Sequence, residues 1–328
     1  MTSPYSFHLH LAAWLGIAAL GVLYLGAVRR AARTERPGTA PTRRQWFFLA
    51  AGLLALVVAL TWPVADLAAH WSLTALLVQR LLLTLAAAPL LLLALPSALM
   101  AAATKPAPVD RVLEIVTRPV VAVVVFTVIA VGSLLVPVVA AQSSSGVVRG
   151  VVDVALLFGG AVLWGPVLRH IPGASRPSPV GLAAYLFIES IVPGFPSVIY
   201  VFARHPLYPG FAHAHAAIGL SALADQQLAG VLAKVATLPV LWSVAWMALA
   251  RAAREDAYGS DAEVLTWAEV ERQLERAERR EDRRPRTRHA RRLPLPPRLD
   301  RPPVTDEPGT GTGSEAPGSD LPGGSPGG

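Results

Sequence analysis

The sequence predicts an all-α, polytopic membrane protein of about seven transmembrane helices, with its N-terminus outside and its C-terminus in the cytoplasm. Three observations predict it. Long apolar runs fill residues 8 to 251. Hydrophobic residues make up 53% of the chain and charged residues only 16%, where a soluble domain carries about 25% charged residues. The charge that is present lies in short gaps between the runs and beyond residue 251.

A membrane helix needs about 20 consecutive apolar residues. The candidates are 8–28, 46–65, 73–100, 119–140, 147–168, 179–203 and 225–251. No positive charge precedes the first run, and Arg29 and Arg30 follow it. A cleavable signal has the reverse order, so the run reads as a retained helix that inserts N-terminus outward. The third run is long, and Pro89 and Pro96 are expected to kink or end it. The sixth carries Val192-Pro193-Gly194-Phe195-Pro196, a combination that breaks a helix; such breaks persist at membrane depth where protein or water covers them.

Orientation follows the distribution of Lys and Arg. Arg29, Arg30, Arg33, Arg36, Arg43 and Arg44 fill the first gap, Lys105, Arg111 and Arg118 the third, and Arg169 and Arg176 the fifth. The alternate gaps hold only Arg149 and Arg204. An odd number of spans puts the arginine-rich gaps and the tail on one face. Three segments result: a transmembrane domain over 1–251, a charged amphipathic helix over 252–284, and an Arg/Pro/Gly-rich tail over 285–328. The helix carries a narrow stripe of Val264, Trp267 and Leu274 and is suited to anionic lipid at the cytoplasmic face. The tail has too few apolar residues to order itself.

Composition also excludes. There is no cysteine, so disulfides, thiolate metal sites and thiol catalysis are ruled out. The net charge of +7 sits where a cytoplasmic membrane face explains it, and no nucleic-acid partner is expected. No serine elbow, phosphate loop or HExxH motif suggests an enzyme.

Six of the eight histidines fall at the outer face of this topology: His8, His10, His70, His205, His213 and His215. Imidazole suits copper, zinc and nickel, so these are the candidate metal ligands; solvated interfacial histidines are the alternative. Three ionisable residues fall inside spans, namely Arg80, Glu189 and Lys234, and Gln79 adjoins the first. Charges in hydrocarbon usually face the bundle interior and pair, so the three are expected to form a buried cluster, either a helix-locking ion pair or a functional polar site. The seventh span opens with Asp225-Gln226-Gln227. Asp225 is suited to capping its own helix, which leaves two glutamines entering the membrane without a role.

These residues carry a resemblance. The stretch Leu220 to Gly230, read LSALADQQLAG, resembles the start of the last helix in the CtaG family of caa3-type cytochrome c oxidase assembly factors. His205-Pro206-Leu207-Tyr208-Pro209 resembles that family's "plYp" segment. Gln79 to Leu83 with Ala88 to Leu92 resembles its third-helix pattern, "HMxQHLLL" followed by "APPLLLLG". The matching pieces spread over most of residues 45–255. The resemblance implies a multi-pass protein of the bacterial plasma membrane and the respiratory chain that helps to build a haem-copper oxidase, with an oxidase subunit as partner, by copper delivery or by scaffolding. The chain departs from the family at the third helix: the family's histidines align with Leu76 and Arg80, and its methionine with Leu77. The family's Met-Trp after Asp-Gln-Gln aligns with Ala233 and Lys234. Two other functions fit the residues: a small-molecule or metal transporter built on Arg80, Glu189 and Lys234, and a structural paralogue that binds no metal.

Overall fold

The computed structural model of the chain describes residues 8–33, 40–168, 174, 177–212 and 219–282, with side chains of the last stretch described as far as Arg254. By internal contacts the chain divides into Met1–Leu265 and Thr266–Gly328; the fold below is that of the first unit. His170, His213, His215 and the tail over 285–328 lie outside the described residues.

Local signals start the helices. α1 (Leu11–Ala32) ends on Arg29 and Arg30, cations placed at the negative end of its dipole. α2 (Arg43–Leu60) begins in a capping box: the Gln45 N–H donates to Thr42 Oγ1, and the Thr42 N–H donates to Gln45 Oε1. α3 (Val64–His70) completes the same crossing, Arg43–His70. The third crossing, Leu73–Ala94, is assembled from α4 (Leu73–Leu81), a π-helical stretch (Leu82–Ala87) and α5 (Ala88–Ala94). Two short helices follow, α6 (Ser97–Thr104) and α7 (Ala107–Val116), then α8 (Pro119–Gly132), α9 (Val136–Ser144) and α10 (Gly146–Trp164). α11 (Pro179–Ile191) and α12 (Phe195–Phe202) make the crossing Pro179–Phe202, and α13 runs Ala222–Asp282, its apolar part reaching Arg254. No strand occurs among the described residues.

Six of these helices are long and apolar enough to cross a membrane, and a seventh is reached if α7 and α8, bent by 84°, form one span. The chain is an all-α, polytopic membrane protein. Its outward faces fit only hydrocarbon: Val120, Val124 and Val128 of α8, and Val147, Val151, Val154 and Phe158 of α10, are all exposed and recur at helical spacing.

The prolines explain where the helices depart from uninterrupted runs. The third crossing ends at Ala94 rather than near residue 100, because Leu95 before Pro96 is held extended (ψ 123°). Within it, the Ala88 N–H reaches back five residues to Leu83. The next residue, Pro89, has no N–H to give, so the Thr84 carbonyl loses its helical donor. The Trp164 indole N–H supplies one at 2.9 Å. The fourth candidate span runs over 119–140. It is interrupted between α8 and α9, since Pro137 cannot donate to Ser133 four residues earlier. The break expected at Pro193 is present between α11 and α12.

Small residues let these irregular helices approach closely. A Cβ on Gly160 of α10 would lie 2.8 Å from Ala88 Cβ and 2.9 Å from Thr84 Cα. One on Gly230 of α13 would lie 2.6 Å from the Ser197 carbonyl oxygen. Backbone cannot yield as a side-chain tip can, so overpacking here costs roughly 1–3 kcal/mol. Gly160→Leu is therefore expected to lower the thermal unfolding temperature in detergent by several degrees, while Gly150→Leu, with open space around it, leaves it unchanged.

Candidate functional site

The Asp-Gln-Gln triplet ties three neighbouring segments together at one end of the bundle. Asp225 does not cap its own helix as expected. Ser221 does, its Oγ accepting the Ala224 N–H at 3.1 Å. The Asp225 carboxylate instead caps α4. Oδ2 accepts the Leu73 N–H at 2.6 Å, and Oδ1 accepts the Ser72 hydroxyl at 2.8 Å and the Thr74 N–H at 3.3 Å. A fully buried anion thus sits on the positive end of a membrane helix, where orphan amides would otherwise lack partners. Gln226 Oε1 accepts the Leu207 N–H at 2.7 Å, and Gln227 Nε2 donates to the Ala203 carbonyl at 3.3 Å. The loop held this way carries Tyr208, whose hydroxyl donates to the Leu134 carbonyl at 2.5 Å and stands 2.6 Å from the Tyr200 hydroxyl. Burial pushes the Tyr208 phenol above its ordinary range, which keeps it a donor.

Of the two alternatives for the intramembrane polar residues, an ion pair or a polar site, the ion pair is absent: no salt bridge joins Arg80, Glu189 and Lys234 among the described residues. Both cations serve carbonyls left open by helix breaks. Arg80 Nε donates to Ser133 Oγ at 3.0 Å, and Nη2 to the Ser133 carbonyl at 2.7 Å and to Gln142 Oε1 at 3.5 Å. Lys234 Nζ donates to the Ser190 carbonyl, at the break before Pro193, at 3.2 Å. Glu189 is left over. It is 1% exposed, and neither carboxylate oxygen has a hydrogen-bond partner among the described residues. Tyr185, one turn back, stands within electrostatic and hydrogen-bonding range of Glu189, but its single hydroxyl proton goes to the Leu163 carbonyl at 2.7 Å. What the three residues share is a cavity of about 90 Å³, lined also by Thr84, Ser197 and Thr237.

A fourth intramembrane charge was missed in the sequence. Asp153 of α10 accepts a hydrogen bond from Gln79 Nε2 at 3.4 Å, with Arg80 and Arg149 within electrostatic reach. A lone carboxylate in an apolar run is the signal that picks out Glu189, and it applies equally to Asp153. Gln79, Arg149 and Asp153 line a second cavity, about 450 Å³, whose wall also includes His10.

The histidines gather only in part. His10 Nε2 lies 3.1 Å and His8 Nδ1 3.4 Å from Asp66 Oδ1. His70 is exposed and within electrostatic reach of Asp66 and His8. His205 is also exposed. No cluster of three or more His, Cys, Asp or Glu arranged to hold a metal occurs among the described residues.

With this geometry in place, the comparisons give one clear result. The family model described as cytochrome c oxidase caa3 assembly factor (Caa3_CtaG) matches residues 22–255. The chain belongs to this family. The match takes in every intramembrane polar residue above and the whole Asp-Gln-Gln clamp, while His8 and His10 precede it. The Caa3_CtaG assignment makes the chain a cytochrome c oxidase assembly factor, and its helices make it a multi-pass membrane protein. No curated protein sequence and no solved structure matches the chain significantly.

Proposed function

We propose that this Caa3_CtaG protein assists assembly of a haem-copper oxidase in the bacterial plasma membrane as a non-catalytic scaffold, without passing copper through its helix bundle. One observation carries the reading. The interior positions Arg80 and Lys234 are cations already committed to the carbonyls of Ser133 and Ser190. A guanidinium and an ammonium have no lone pair to offer a metal and repel one electrostatically. The arginine-rich gaps face the cytoplasm and anionic lipid in this reading, and the end bearing His10, His70 and the Asp225 clamp faces outward, toward an oxidase subunit.

A second reading rests on a different observation. His8 and His10 each reach Asp66 Oδ1 at that outward end, at 3.4 and 3.1 Å; the three are not arranged as a ligand set, but imidazoles gathered at one surface suit copper as cargo. His70 and His205, both exposed, would extend the same surface. The two readings separate in one experiment. The protein is purified in detergent from copper-supplemented cells, and copper per chain is measured for the wild type and for a His8→Ala/His10→Ala/His70→Ala variant. Oxidase maturation is followed in the same strains. Scaffolding predicts copper at background and maturation unchanged by the replacements. Near-stoichiometric copper that is lost in the variant together with oxidase activity would overturn scaffolding in favour of delivery.

A further inference from the structure

The cavity between Arg80, Glu189 and Lys234 contains more polar capacity than the protein itself uses. Arg80 is 6% exposed, and its Nη1 has no hydrogen-bond partner among the described residues, although Nε and Nη2 are fully engaged. Glu189 is 1% exposed with both oxygens free. Lys234 spends one of its three N–H groups on Ser190. Buried polar groups in native proteins are nearly always partnered, and the side chains present do not reach one another. The partner must therefore be something held in the cavity. Its volume, about 90 Å³, suits about three water molecules or one small ion with a residual water, at roughly 30 Å³ per water.

Charge narrows the choice. The titratable groups lining the cavity are Arg80 from α4, Glu189 from α11 and Lys234 from α13. α8 contributes only Phe126 and Ala130, and α10 only Leu156 and Leu163. Tyr185, beside Glu189 on its own helix, is committed to the Leu163 carbonyl. Asp153, outside the cavity wall, lies within electrostatic reach of Arg80 but also of Arg149, whose charge offsets it; the two cavity cations against the one cavity carboxylate then leave a net charge of +1 when Glu189 is ionised. A metal ion would add to that excess. A monovalent anion would meet the free Arg80 Nη1 and the ammonium, and only the Glu189 carboxylate would repel it. Adding a proton to Glu189 removes the repulsion and turns the carboxyl into a third donor.

We propose that this cavity binds a small monovalent anion of halide size, and that each anion enters with one proton, taken up by Glu189. The charge of the site is conserved: the anion replaces the charge that the carboxylate gives up. Affinity then rises as pH falls, by about tenfold per pH unit wherever Glu189 is ionised in the empty site, and levels off once it is already protonated. The proposal is independent of whether the protein scaffolds an oxidase or handles copper, because neither reading uses Glu189.

The test uses the full chain in detergent, with sodium chloride as the probe titrated against a sodium gluconate background, gluconate being too large for the cavity. Binding is read as saturable broadening of the ³⁵Cl resonance at pH 6 and pH 8. Proton uptake is read with an indicator dye in weakly buffered protein. The expected result is saturable broadening, tighter at pH 6 than at pH 8, with proton uptake of up to one per chloride that is larger at pH 8 than at pH 6, because uptake requires Glu189 to be ionised in the empty site. Glu189→Gln should retain binding but lose both the pH dependence and the proton uptake. Lys234→Met should weaken binding at least tenfold. No saturable broadening at pH 6 in monodisperse protein would overturn the proposal and leave the cavity to water. Broadening that Lys234→Met does not change would also overturn it, by placing the anion elsewhere.

Discussion

Replacing Asp225 with alanine is expected to destabilise the protein by about 3–5 kcal/mol, the range for stripping one member from a buried charged network. The expectation follows from what the carboxylate leaves behind. The Leu73 and Thr74 amides and the Ser72 hydroxyl all lose their acceptor, each at a cost of roughly 1–3 kcal/mol when buried. Water cannot easily replace it, since Asp225 and Ser72 are 0% and 1% exposed. Asp225→Asn should fall between alanine and wild type. It keeps one oxygen for the Ser72 hydroxyl but turns an amide N–H₂ toward the Leu73 N–H. Ser72→Ala should cost less, about 2 kcal/mol, since it removes both the bond to Asp225 and the N-cap bond from the Ala75 N–H, each contributing about 1 kcal/mol. Thermal unfolding followed by fluorescence-detected size exclusion checks the order. An alanine variant as stable as the wild type would mean that the clamp does not hold the third crossing in place.

Replacing Arg80 with leucine is expected to cost about 2–4 kcal/mol, because hydrogen bonds from charged groups contribute roughly 1.5–3 kcal/mol each and some compensation remains. The Ser133 carbonyl keeps a donor in Gln142 Nε2 at 3.3 Å, while Ser133 Oγ and Gln142 Oε1 lose theirs. Arg80→Lys should recover little, since an ammonium cannot span Ser133 and Gln142 as the planar fork does. The decisive variant is the double substitution. If Arg80 is present because Pro137 deprives Ser133 of a donor, then Pro137→Ala restores an N–H at that position. Pro137→Ala should therefore offset more than half of the loss caused by Arg80→Leu, an interaction that a double-mutant cycle measures directly. A double variant no more stable than Arg80→Leu would separate the arginine from the proline.

Much of the architecture was legible because hydrophobic length is a one-dimensional property. The apolar runs place the crossings within a few residues, and Pro193 with Gly194 and Pro196 announces its break openly. Pro137 did not, because one proline in a strongly apolar stretch barely lowers its mean hydropathy. The rule that a proline orphans the carbonyl four residues back would have pointed to Ser133, and then to the need for a buried donor. Arg80 was visible, but its destination was not. A buried cation and a buried acid in the same membrane invite pairing, and the sequence holds no record that broken backbone competes for the cation more closely than Glu189 does. Asp225 failed for a related reason. A capping acid can serve its own helix or another, and Ser72 lies 153 residues away in the chain. Asp153 was legible in principle and passed over because it sits near the start of its run. The histidine grouping was legible only as an end of the bundle; that His8 and His10 meet Asp66 depends on how α1 packs.

The carbonyls opened at helix breaks also impose a timetable on the growing chain. Ribosomes deliver helices in order, and each open backbone group in hydrocarbon waits until its partner arrives. The Ser133 carbonyl emerges after Arg80 and can be covered at once. Thr84 must wait for Trp164, and the Ser190 carbonyl for Lys234. The amides at Leu73 wait longest, for Asp225 at the start of the final helix. A nascent chain arrested before residue 222 therefore holds exposed amides and carbonyls at two depths of the bilayer, the sort of lesion that membrane proteases recognise. Biogenesis of this protein is completed by its last helix, and truncated products should be cleared rather than accumulate as partly working forms.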